Sequence, residues 1–192
     1  FARAGARVAA NDVVPTNLIP LLASVQAAGG EARQYVFDVA IRMQAQMLVD
    51  EIVADWGRLD ILVNHAAVDP RDGLLELDEW DWRRALDVNL SAPFFLIQAA
   101  AGVMRRQGGG VVVNLGAELP GGGVAYQASK AGLLGLTQAA AQEAAPWGVR
   151  VKVFHPERLD PAANAEERQL RNAAIVAQVF SLCHDRSNRP EK

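Results

Sequence analysis

The sequence has 192 residues, 51% hydrophobic and 21% charged, with a formal net charge of −3 at pH 7. That length and apolar content suffice for a globular domain with a core of its own. The mildly acidic balance excludes a concentrated basic face for nucleic acid, since the basic residues are scattered in runs no longer than a pair such as Arg105-Arg106.

Phe1 opens the chain on what reads as the end of a helix, with Gly5 as its stop, so the sequence reads as cut and not as processed. A strand follows at 7–10, and Asp12 closes it. Residues 18–28 read as a helix ended by Gly29-Gly30, and 32–37 as a short strand closed by Asp38. Helical periodicity returns at 43–56 and stops at Gly57. Residues 59–64 then read as a buried strand, apolar except at Asp60.

One long helical stretch is expected over 78–107, broken locally around Pro93 and ended by Gly108-Gly109-Gly110. Trp80 and Trp82 at its start are expected to pack against the helix. An apolar strand follows at 111–114, a second long helix at 125–146, and a strand at 149–154 stopped by Pro156. Residues 162–182 read as helix, and 184–192 as a polar, flexible tail. Alternating strand and helix without a linker predicts one α/β domain over 1–192: a Rossmann-like, doubly wound parallel sheet with helices on both faces.

Cys183 is the only cysteine, which excludes an internal disulfide, and His65, His155 and His184 are too dispersed for a metal motif. No apolar run reaches the about 20 residues of a membrane span, and the first residues carry no signal-peptide pattern. A cytoplasmic protein without membrane partners is expected.

The chemistry centres on Tyr126-Gln127-Ala128-Ser129-Lys130. Tyrosine and lysine four apart share one helix face. A free phenol, with a pKa of about 10, is a poor base at neutral pH. A neighbouring ammonium favours the phenolate, so the pair can exchange a proton with an alcohol or carbonyl. Two further clusters keep it company. Asn64-His65-Ala66-Ala67 follows a strand where doubly wound sheets bind ligands. Asn89, in Asp87-Val88-Asn89-Leu90, is a polar residue among apolar neighbours, able to hold a water or a lysine side chain.

In this order, Asp12, Asp38, Asn64 to Ala67, Asn89, Tyr126 and Lys130 resemble the landmarks of the classical short-chain dehydrogenase/reductase family. The resemblance runs from end to end and implies a role for each position. Tyr126 would be the general acid/base, Lys130 would support it and hold the nicotinamide ribose, and Asn89 would anchor a proton-relay water. Asn64 and Ala66 would line the cofactor groove, Asp38 and Val39 would frame the adenine, and Pro156 would border the nicotinamide. Asp12 would accept hydrogen bonds from the adenosine ribose, which favours NAD over NADP. A small alcohol or carbonyl substrate and a homo-oligomer, dimer or tetramer, are implied as well.

Three departures from the family's pattern bear on activity. Its glycine-rich turn and first strand would precede Phe1. In the strand order 3-2-1-4-5-6, lack of that strand leaves two unpaired edges in mid-sheet, at Val8 and Ile61. The C-terminal strand is lacking too. Ala117 stands where the family has its serine, and no Ser or Thr lies between Ser91 and Ser129. The family's Pro-Gly is Pro156-Glu157 here. The sequence therefore leaves two readings: a dehydrogenase, or a non-catalytic relative that binds nucleotide or assembles subunits.

Overall fold

The computed structural model describes residues 1–116 and 121–155. Five strands alternate with helices: β1 (Val8–Asn11), α1 (Ile19–Ala27), β2 (Ala32–Tyr35), α2 (Arg42–Trp56), β3 (Ile61–Asn64), α3 (Glu79–Leu86), α4 (Ala92–Arg106), β4 (Gly110–Leu115), α5 (Val124–Ala144) and β5 (Val149–Phe154). A 3₁₀ turn at Ala2–Ala4, capped by the left-handed Gly5, precedes β1. The expected helix at 162–182, the tail at 184–192, Ala117 and the Pro156-Glu157 pair lie outside the described residues.

Every strand pairing is parallel, β1 with β2 and β3 with β4 with β5, which gives a Rossmann-like α/β fold. The strands form two sheets, parted between β1 and β3. The resemblance predicted unpaired edges at those two strands. The edge corrects one expectation, that 59–64 would be a buried strand. Only Asn64 of β3 is buried, and Val63 is 36% exposed.

A shared core joins the two sheets. Tyr35, Val39, Leu48, Val49 and Ile52 pack with Leu96 and Val103 of α4, and Ala9 and Leu62 reach the same cluster from β1 and β3. Alternation along β4 separates its faces: Val112 packs with Ile97, Met104 and Val151, while Val111 and Val113 turn to the opposite face with Phe1 and Phe154. Helices α2, α4 and α5 thus lie on one side. On the other, Gly30 brings the end of α1 against Ala2, with no room for a Cβ between them.

The long helical stretch is interrupted just before Pro93, by a π-helical turn at Asp87–Ser91. Proline has no N–H to give the carbonyl four residues back, that of Asn89, and the ladder shifts register instead. Ala92 N–H accordingly bonds Asp87 O, five residues back. The run Glu79–Arg106 is long and apolar enough to cross a membrane, although Asn89 and Gln98 break it into shorter apolar pieces; 56% of its most apolar window is buried inside the fold. Trp80, expected to pack, is instead 69% exposed on the first turn of α3.

A directional polar chain ties β3 and β4 to α5. Thr137 Oγ1 donates to Leu133 O (2.6 Å), Asn114 Nδ2 donates to Thr137 Oγ1 (2.8 Å), and Asn64 Nδ2 donates to Asn114 Oδ1 (2.7 Å). All three side chains are buried. Asn114→Leu leaves partners on both sides unsatisfied, so a loss of about 2–4 kcal/mol is expected from the urea midpoint of the whole protein. A change below about 0.5 kcal/mol would mean that the chain does not hold these elements together.

Candidate active site

Because the strands are parallel, Asn64 and Leu115 end β3 and β4 on the same sheet edge, and α5 leaves from beyond that edge. Tyr126 and Lys130 lie in the first two turns of α5. Lys130 Nζ sits 5.6 Å from the centroid of the Tyr126 ring and donates to Leu115 O at 2.7 Å. It is buried, and burial lowers its pKa to about 8. At pH 7 the ammonium form still dominates by roughly ten to one.

Asn89, wholly buried on the π-helical turn, joins this group. Its Oδ1 accepts from Val68 N–H (2.8 Å), and its Nδ2 donates to Val68 O (2.8 Å) and Ser129 Oγ (3.0 Å). Ser129 Oγ donates in turn to Tyr126 O (2.8 Å). The Asn89 amide thus grips the backbone after β3 and the serine beside Tyr126.

Tyr35, the only other tyrosine, has a different environment. It is buried and donates to Asp55 Oδ2 at 2.7 Å. Burial first, then that bond to a carboxylate, holds its phenol well above the usual range. Of the two phenols, only Tyr126 has an ammonium over its ring among the described residues.

The remaining expected positions follow the strand ends. Asp12 lies just after β1, where Oδ1 accepts from Val14 N–H (2.8 Å) and Asn17 Nδ2 approaches Oδ2 (3.3 Å). Asp38 Oδ1 accepts from Ala40 N–H (3.0 Å), and its Oδ2 pairs with Arg84 Nη1 of α3 (3.3 Å). Val39 points into the core. Asn64 is buried and Ala66 is exposed in the loop after β3. Thus Tyr126, Lys130 and Asn89 converge, whereas Asp12 and Asp38 belong to the β1–β2 side. Sequence reasoning missed Ser129, although it lies inside the quoted Tyr-to-Lys run, and Asn114, whose signal was one amide ending an otherwise apolar strand. Nothing local marked Arg84 as the partner of Asp38.

Parallel strands alternating with helices, with a tyrosine–lysine pair beyond the strand ends, make a Rossmann-like α/β fold. Residues 1–172 match the short chain dehydrogenase family, and the chain belongs to it. An uncharacterized oxidoreductase of Thermotoga maritima is 38% identical over 160 residues, covering 81% of this chain and 63% of that protein. The chain therefore spans less than two thirds of that relative's length. A metagenomic short-chain oxidoreductase solved in complex with NADP superposes with a TM-score of 0.80 at 29% identity, covering 92% of this chain and 81% of that one. A xylitol dehydrogenase solved with NAD⁺ gives 0.79 at 27% identity, covering 96% and 70%.

The lysine makes a prediction about stability. Its folded pKa, about 8, lies below the ordinary 10.5. Between those values the unfolded chain holds a proton that the folded chain has released, so this group's contribution to stability rises with pH across that window. Lys130→Met should therefore gain stability relative to wild type near pH 7 and lose that gain as pH approaches 10. Denaturation midpoints of the two proteins over this range provide the check. A pH-independent difference would place Lys130 in a solvated setting.

Proposed function

We propose that the protein is an NAD-dependent oxidoreductase that interconverts a secondary alcohol and a carbonyl, with Tyr126 as the proton-transfer group. The observation that carries the reading is the buried Lys130 ammonium held over the Tyr126 ring by Leu115 O. In the oxidising direction, the Tyr126 phenolate takes the proton from the substrate hydroxyl as the C–H bond gives up a hydride. The carbinol becomes a carbonyl, and the reverse direction returns the proton from the phenol. Lys130 favours the phenolate electrostatically. Asn89 and Ser129 fix the turn of α5 that carries the tyrosine.

The residues present fit the dinucleotide that the family implies. An ammonium has three donors, and Lys130 gives one to Leu115 O, which leaves two for ribose hydroxyls. Asn64 Oδ1 is buried without a hydrogen-bond partner among the described residues, an acceptor waiting for a donor. The bound nicotinamide supplies or accepts the hydride. Asp12, a carboxylate fixed just after β1, would accept from ribose hydroxyls and repel a 2′-phosphate, which supports NAD over NADP. Ala66 would line the groove through its backbone, and Val39 would border the adenine by its main chain. Pro156 is assigned to the nicotinamide side on the resemblance alone.

A second reading rests on Ala117. Loss of a donor at a developing oxyanion typically lowers the rate by about 10²–10³, and a non-catalytic relative would tolerate that loss. Turnover decides between the two readings. The whole natural protein should reduce NAD⁺ with at least one of isopropanol, cyclohexanol and xylitol. Tyr126→Phe should lower that turnover by about 10²–10⁴ while NADH binding, followed by fluorescence, stays within about twofold. Unchanged turnover in Tyr126→Phe would remove the proton-transfer assignment. NADPH binding more tightly than NADH would remove the NAD preference and the role given to Asp12.

A further inference from the structure

We infer that Asp69 is a positioning residue that fastens the segment after β3 to the start of α5 and thereby fixes Tyr126 for proton transfer. The inference rests on the reading of Tyr126 given above.

Helix α5 begins at an N-cap glycine, Gly123, which has no side chain to cap the first turn. A carboxylate from a distant segment approaches that end instead. Asp69 Oδ1 accepts the Gly123 N–H at 2.8 Å, 54 residues away in sequence. An anion is favoured there by the positive end of the helix dipole. Asp69 Oδ2 pairs with Arg71 Nη2 at 2.6 Å, so both oxygens are engaged, and the Asp69 side chain is only 23% exposed.

The backbone on either side shows how close the fastening is. Val68, the preceding residue, is gripped at both N–H and C=O by Asn89. Pro70, the next residue, lies on Gly123 so closely that a Cβ there would strike its carbonyl oxygen. At Gly122, with φ of +89°, a Cβ would strike the Tyr126 ring and stand 3.1 Å from Asp69 Oδ1. The two glycines therefore admit the segment 68–70 against the helix start, beside the ring of the tyrosine. Gln127 Nε2 donates to Gly122 O at 3.0 Å and tightens the same turn.

Tyr126 is three residues beyond Gly123, whereas Lys130 is a further turn along and is held by Leu115 O. Releasing Asp69 should loosen the tyrosine and leave the lysine end of the site in place. The expected signature is a fall in kcat without a change in dinucleotide KM. A misplacement of about 1 Å can lower a rate about 10²-fold.

The test uses the whole natural protein with NAD⁺ and whichever of isopropanol, cyclohexanol and xylitol it oxidises fastest. Asp69→Ala should lower kcat by about 10- to 100-fold with the KM for NAD⁺ within about twofold of wild type. Asp69→Asn keeps an oxygen that can accept from Gly123 N–H, and it should recover kcat to within about threefold. If Asp69→Ala does not fold, Asp69→Glu serves: the added methylene displaces the segment, and kcat should fall about tenfold with KM preserved. Wild-type kcat in Asp69→Ala or Asp69→Glu would overturn the inference, as would an Asn variant no better than Ala, or an equal loss in NAD⁺ affinity. A wild-type protein without turnover would instead overturn the dehydrogenase reading, and this inference with it.

Discussion

The side-chain amide of Asn89 is the interaction on which the rest of the site depends. One wholly buried group closes a two-way hydrogen-bonded pair with the backbone of Val68 and reaches Ser129 with its second N–H. A buried amide cannot replace lost partners with water, so each of its bonds constrains the others. The loop after β3, the π-helical turn and α5 therefore hold one another in a single arrangement. Tyr126 inherits its position from that agreement, since Ser129 Oγ donates to the Tyr126 carbonyl.

Proline explains why an asparagine can serve there. In an unbroken α-helix the ladder would continue through 87–93, but Pro93 has no N–H for the Asn89 carbonyl. The π-helical turn Asp87–Ser91 absorbs the misfit with Val88 and Asn89 buried. An exposed asparagine in a helix mostly exchanges one solvated partner for another, whereas a buried one can act as a fixed bracket. The π-helical turn and the bracket are two consequences of one short stretch of sequence.

Much of this was legible in the sequence because it is local. Glycine stops at Gly57 and after Arg106, and apolar runs at 111–114 and 149–154, placed helices and strands within a few residues of where they lie. The Tyr126 and Lys130 spacing is a property of one helix, so periodicity alone set them on one face. Contacts that close over long distances in sequence were not legible. Gly123 to Asp69 spans 54 residues, Asn64 to Asn114 spans 50, and Asp38 to Arg84 spans 46. No local pattern marks such partners, because the chain must fold before they meet. Burial of β3 failed for a related reason: apolar composition describes what a strand can bury, while its place at the edge of its sheet decides what it does bury.

The chain from α5 to Asn64 shows how a core can fix the chemistry of a groove. Thr137 has a single hydroxyl proton and gives it to Leu133 O, so it meets Asn114 only as an acceptor. Asn114 must then present its N–H₂ to Thr137 and its oxygen to Asn64, and Asn64 must answer with N–H₂. Each choice forces the next, and the last group left over is an oxygen, Asn64 Oδ1, buried and without a partner among the described residues. A reversed amide at Asn64 would set acceptor against acceptor, and one at Asn114 would set donor against donor. The end of β3 therefore offers an acceptor and not a donor, and a group that settles against it must bring an N–H or O–H. That polarity is set in the helix that carries Tyr126 and Lys130, so one element governs both the reacting pair and the hydrogen-bonding sense of the groove beside it.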